Sequence, residues 1–181
     1  MSDSPLSPVA DPRLAGLPDW APIPHPAMLE GRPSFLMNQP EGGLKYRYFR
    51  GPRRGVLWAK ALFGPLTEGP PGHAHGGSMA ALLDELVGGA AWLAGHAVVA
   101  ATLNVKFRNM LPVDTVVTGK GEVAQVSGRR VTVHGSLAGP DGTVFAEADG
   151  IFVVLEGRAL QALPAETQAI IGRLKAELGE G

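Results

Sequence analysis

The sequence contains no cysteine, which excludes disulfides, thiolate metal sites and a cysteine nucleophile. It also lacks a surplus of positive charge. The formal net charge is -1 at pH 7, so there is no electrostatic case for a nucleic-acid partner. No apolar run reaches the ~18 residues of a membrane-spanning helix once Asp84-Glu85 is counted as a break in the longest candidate. The N-terminus has neither the basic start nor the apolar stretch of a signal peptide, and Asp3, Asp11 and Asp19 argue against an organellar transit peptide. A soluble cytoplasmic protein is expected. The 181 residues suit one ordinary domain with extra segments at its ends. A domain of ~150 residues buries roughly 70% of its unfolded surface, so a core can form without staples.

What is there is unevenly distributed. Residues 1–43 are rich in proline (Pro5, Pro8, Pro12, Pro18, Pro22, Pro24, Pro26) and show no lasting periodicity. Proline removes backbone donors and fixes φ, which predicts an extended arm with one short helix near residues 27–29. From Leu44 the pattern changes. Residues 45–49 and 56–63 read as strands joined at Gly51-Pro52. A turn-rich stretch, residues 69–77, then precedes a long apolar segment over 78–94 whose polar residues are Ser78, Asp84 and Glu85. That length exceeds a strand, and a helix apolar almost all round is a buried helix. Gly88-Gly89 would each cost ~1 kcal/mol in an exposed helix, so something is expected to pack against the backbone there.

Four strands are predicted next: 98–108, 113–126, 129–138 and 143–155. In the first, Val99, Ala101, Leu103, Val105 and Phe107 alternate with Ala100, Thr102, Asn104, Lys106 and Arg108. A short exposed amphipathic helix over 165–178 ends the chain. The expected organisation is an arm (1–43), a main domain (44–160) and a C-terminal helix and tail (161–181). One greasy helix followed by a meander implies an α+β fold in which a curved antiparallel sheet wraps the helix, the hot-dog arrangement.

The same segment holds candidate chemistry. Glycines at a helix mouth let bare N–H groups approach a substrate oxygen, and the helix N-terminus adds partial positive charge where an oxyanion would develop. Gly76-Gly77 stands at such a mouth. Alone, glycines before a helix are often only a tight turn, and a lone His75 is more often a structural hydrogen-bonding residue than a catalyst. Asp84 changes the weighing. It lies about two turns into an apolar helix, where a carboxylate is costly without a partner or a task. Its helical neighbours Ala80, Ala81, Val87 and Gly88 lack long side chains and leave room beside it. Glu85, ~100° further round, faces elsewhere; the alternative is that Asp84 is a solvated face residue and Glu85 its neighbour.

The run Gly69-Pro70-Pro71-Gly72, with Ala74-His75-Gly76-Gly77 and then Leu83-Asp84-Glu85, resembles the hot-dog thioesterases of the phenylacetate-pathway (PaaI-like) type. It is most similar to the subgroup of human thioesterase-superfamily acyl-CoA hydrolases. The likeness continues through Leu103-Asn104-Val105, Phe107-Arg108 and Gly128-Arg129-Arg130, about Leu66 to Leu155 in all, and leaves the arm uncovered. The nine-residue step from His75 to Asp84 matches the family's histidine-to-aspartate spacing. The resemblance implies hydrolysis of acyl-CoA-type thioesters with no cofactor and no metal. Asp84 would be general base or nucleophile, the Gly76 amide the oxyanion donor with His75 beside it, and Gly77 part of the substrate contact. Lys106, Arg108, Arg129 and Arg130 would hold coenzyme A phosphates, and isolated arginines at turns are as readily solvated charges. Where relatives place a threonine or serine to orient water, this chain has Ala100, with Thr102 as the candidate substitute. Where they carry asparagine before the histidine, it has Gly69, with His73 as the candidate replacement.

Three rival readings remain open at this point. A hot-dog module could bind acyl-CoA without hydrolysing it. A hydratase on the same fold is disfavoured by the double glycine after His75, and a metal at His73 and His75 lacks a third ligand. The expected partners are an acyl-CoA substrate and a second copy of the chain, as homodimer or homotetramer, because strand 98–108 belongs at a sheet edge that pairing would protect. Nucleic acid and membrane are not expected.

Overall fold

The computed structural model describes residues 11–24, 35–36, 39–53 and 55–178. The helix expected near 27–29 lies outside them. Seven antiparallel strands form one sheet, in the order β1-β2-β3-β5-β6-β7-β4. In chain order these are β1 (Ala21–Ile23), β2 (Leu44–Arg50), β3 (Val56–Phe63), β4 (Val98–Phe107), β5 (Val116–Ser127), β6 (Arg130–Ala138) and β7 (Val144–Val154). Between β3 and β4 runs α1 (Gly76–Leu93), and after β7 come α2 (Gly157–Gln161) and α3 (Ala165–Leu178). One long helix held by a curved antiparallel sheet is the hot-dog fold. No helix among the described residues is long and apolar enough to cross a membrane.

The helix sits in a trough that glycine makes. A methyl group added at Gly121 in β5 would lie 2.3 Å from the carbonyl oxygen of Leu86, and one at Gly135 in β6 would lie 2.6 Å from Val87 Cγ1. These two glycines are cross-strand partners, so a bare patch of sheet receives the middle of α1. Leu82, Leu83, Leu86, Val87, Ala90 and Ala91 fill the space around it with no exposed surface. Gly88 is explained in the same way, because a methyl there would stand 3.2 Å from the Phe152 ring. The helix is not buried all round, however. Ala80, Ala81, Glu85 and Gly88 are half-buried and Asp84 is exposed, which leaves one face of α1 open in the single chain.

Three other expectations change. The sheet begins inside the arm, where β1 pairs with β2 and Trp20 stacks on Trp58 at 4.7 Å. The C-terminal helix is docked, since Ile171 joins a core cluster with Val87, Ala91, Trp92 and Phe152. Most consequential is a bulge in β4: Ala100 pairs with Phe152 but Thr102 pairs with Ile151. Adjacent residues of β7 point to opposite faces, and residues in register share a face. Ala100 therefore lies on the core side with Phe152, and Thr102 lies on the other. The uninterrupted alternation read from the sequence holds from Thr102 onward, with Leu103 and Val105 against the core.

Candidate active site

His75 is the N-cap of α1, in extended backbone conformation, and its Nδ1 accepts the Gly77 N–H at 2.9 Å. An amide can only donate, so Nδ1 is the bare nitrogen and the proton of the neutral ring sits on Nε2. The residue is pinned from several sides. Its N–H donates to the Thr67 carbonyl at 2.7 Å. Its own carbonyl accepts from the Ser78 hydroxyl at 2.7 Å and from the Ser78 and Met79 amides. Its backbone passes so close to Gly69 that a methyl there would lie 2.9 Å from His75 Cα. Glycine at 69 is thus what lets the histidine loop close, and an asparagine there would have to displace it. His73 Nδ1 lies 2.8 Å from the Pro71 carbonyl.

These contacts use up the first-turn donors unevenly. The amides of Gly77, Ser78 and Met79 are all taken by His75. Among the described residues the Gly76 N–H has no acceptor. One backbone donor with partial positive helix charge behind it is therefore free at the mouth of an 18-residue helix. Beside it stands Phe107, the last residue of β4, 54% exposed. A methyl at Gly76 would lie 3.0 Å from its ring. Sequence reading put Phe107 on one strand face with Leu103 and Val105 and gave no sign that it meets the helix mouth.

Asp84 lies on the open face of α1. Partial burial of its carboxyl raises its pKa above the ordinary value. Glu85 is the more enclosed of the two. Burial, then the adjacent Asp84 charge, pushes its pKa up to about 7, and its charge is felt by the buried Tyr48 hydroxyl, itself held well above its usual range by burial. The two acids face different surroundings, as their helical spacing predicts.

The four basic residues do not form one group in a single chain. Lys106 Nζ is 3.0 Å from Asp149 and Arg108 Nε 2.7 Å from Glu147, on the outer side of β4 and β7. His134 joins them, 2.6 Å from Asp149, around a hollow of about 300 Å³. Arg129 instead donates to the Val154 carbonyl and lies 3.3 Å from Glu156. Lys106 is in register with Glu147, whereas Arg130 is in register with Val153. Six residues along β7 separate the two pairs by roughly 20 Å. Lys106 and Arg108 flank Phe107 at the helix-mouth end, and Arg129 and Arg130 stand at the other.

Residues 71–146 match the family model of the Thioesterase superfamily. This segment is similar to the thioesterase superfamily. The chain is 37% identical over 94 residues to the acyl-coenzyme A thioesterase THEM5 of Homo sapiens, covering 51% of this chain and 38% of that protein. It is 32% identical over 125 residues to the acyl-coenzyme A thioesterase THEM4 of Xenopus laevis, covering 67% and 56%. The chain therefore spans only part of these curated relatives. Among solved structures, a thioesterase superfamily protein superposes with a TM-score of 0.58 at 30% identity, over 60% of this chain and 53% of its own. A hypothetical thioesterase of Streptococcus pneumoniae, crystallised with coenzyme A, superposes with a TM-score of 0.57 at 20% identity, over 61% and 85%. At that identity the likeness speaks for the fold. The thioesterase segment carries His75, Gly76, Gly77 and Asp84, and the arm before it lies outside the match.

Proposed function

We propose that the chain hydrolyses acyl-CoA-type thioesters to a free acid and coenzyme A, at a site completed by a second copy. The observation that carries the reading is the uncommitted Gly76 amide at the mouth of α1, in a superfamily segment that also presents Asp84 on an open helix face. The substrate carbonyl oxygen accepts from the Gly76 N–H, which is strengthened as the oxygen gains charge. Asp84 of the facing subunit takes a proton from water as the water oxygen bonds to the carbonyl carbon. The tetrahedral oxyanion then collapses, the carbon–sulfur bond breaks, and the thiolate leaves and is protonated. Direct attack by the Asp84 carboxylate, through an anhydride that water then cleaves, uses the same placement.

The two-copy arrangement also accounts for the basic residues. Edge strand β4 of one chain, paired antiparallel with β4 of the other across a two-fold axis, sets the Phe107 end of one against the Val98 end of its partner. That brings Arg129 and Arg130 of one subunit toward Lys106 and Arg108 of the other, one basic patch for the phosphates of coenzyme A. It also covers the open face of α1. A second reading, a module that binds acyl-CoA without hydrolysis, is favoured by Ala100: it lacks a hydroxyl, and the bulge turns Thr102 to the other face. A thiol-release assay over short, long and aromatic acyl-CoA esters decides between them. Turnover supports the hydrolase, and tight binding of every ester without thiol release supports the module.

A further inference from the structure

Beside His75 lies a second hollow, of about 310 Å³, at the lower end of the ~300–1,000 Å³ range of small-molecule sites. One wall is the start of α1, with His75, Gly77, Ser78 and Ala81. The facing wall comes from the arm, with Phe35, Leu36 and Gln39. Leu36, 3% exposed, is sunk in the main core and anchors the arm there, while Phe35 is left 79% exposed at the rim. Leu66, also at the rim, is 65% exposed. Large apolar side chains held in water around a cavity cost solvation unless something apolar is to cover them.

Most polar side-chain atoms of the lining already have partners within the chain, His75 Nε2 aside. The Thr67 hydroxyl donates to the Gly64 carbonyl at 2.8 Å, and the Ser78 hydroxyl to the His75 carbonyl. Glu68 Oε1 accepts from the Gly72 amide at 2.8 Å, and Gln39 Nε2 donates to the Phe35 carbonyl at 3.2 Å. His75 Nδ1 is taken by Gly77. What the hollow offers a guest is mainly carbon surface, at the start of α1. Its volume suits an apolar chain of several carbons.

We propose that the arm segment at Phe35–Leu36, with Leu66, is the wall that selects the acyl group: Phe35 and Leu66 close over an apolar chain of several carbons whose carbonyl sits at Gly76. The inference rests on the thioester reading above for the placing of that carbonyl. Two non-hydrolysable thioethers, ethyl-CoA and octyl-CoA, test it by titration calorimetry against the full chain. Wild type binds octyl-CoA more tightly than ethyl-CoA. Phe35→Ala and Leu66→Ala each lower the octyl-to-ethyl affinity ratio by about tenfold. Both side chains are exposed, so each variant keeps its thermal midpoint and the comparison is made on folded protein. A ratio unchanged in both variants, with CoA thioethers still bound, overturns the wall and leaves the thioesterase reading standing. Binding of octyl-CoA that depends on Phe35, without hydrolysis of octanoyl-CoA, supports the wall and removes the hydrolase. Failure of both thioethers to bind overturns both readings.

Discussion

Replacing Glu85 by glutamine should make the protein more stable at neutral and alkaline pH while leaving its acid stability nearly unchanged. The folded chain holds the Glu85 proton more tightly than the unfolded chain does, with a pKa near 7 against an ordinary 4.5. Stability from this group is therefore full below about pH 4.5 and is lost as pH rises through about 7. A shift of that size corresponds to about 3 kcal/mol, and water reaching a half-buried carboxyl trims it to ~1–3 kcal/mol. Glutamine keeps the shape of the protonated acid and cannot ionise. Urea unfolding at pH 5 and pH 8 should show wild type losing ~1–3 kcal/mol relative to Glu85→Gln between the two. Asp84 shifts in the same direction but is present in both proteins and cancels in the comparison. Parallel pH dependence in the two proteins would refute the reasoning, because Glu85 would then be ionised in the fold at no cost.

Other outcomes follow from the same geometry. Gly121→Ala puts a methyl group against the Leu86 carbonyl, which neither backbone can yield, and should cost at least ~2 kcal/mol in urea unfolding. A variant as stable as wild type would mean that α1 does not lie in the glycine trough. Arg129→Ala should raise KM for acyl-CoA esters several-fold with kcat nearly constant, since the phosphates lie far from the scissile bond; a collapse of kcat at saturating substrate contradicts that role. Light scattering should give at least twice 18.9 kDa, and a fully active monomer would rule out the shared site.

The helix and the meander were legible in the sequence because each is a continuous run with a single hydrophobic period. Predicted strand ends fall within three residues of those observed, and α1 begins at Gly76 rather than Ser78 because the His75 cap draws the glycines into its first turn. β1 was hidden by its prolines, which mask a three-residue strand at the sheet edge. The β4 bulge fell among Ala100, Ala101 and Thr102, residues too small for hydrophobicity to mark a change of face. The roles of Gly121 and Gly135 depend on a helix some 35 to 50 positions away in sequence, beyond the reach of any local pattern. At the site, His75-Gly76-Gly77 and Asp84 stood out by residue type and spacing. Phe107, Phe35 and Leu66 reach it only through the fold, and as single apolar residues they carry no signal before it. The basic residues were expected to act together because they stand at the end of one predicted strand and the start of another; sheet register sends the two pairs to opposite ends.

The proposed role of Asp84 is to activate the nucleophile, or to be the nucleophile itself, at a carbonyl held by Gly76. Steady-state hydrolysis by Asp84→Asn at saturating acyl-CoA tests it most directly, with Glu85→Gln as the neighbouring control. Asparagine preserves shape and hydrogen bonding but cannot take a proton. The kcat of Asp84→Asn should fall by two decades or more, about 3 kcal/mol or above in the barrier, while Glu85→Gln stays within a few-fold of wild type. A loss of rate in Glu85→Gln with Asp84→Asn unaffected would contradict it and make Glu85 the base.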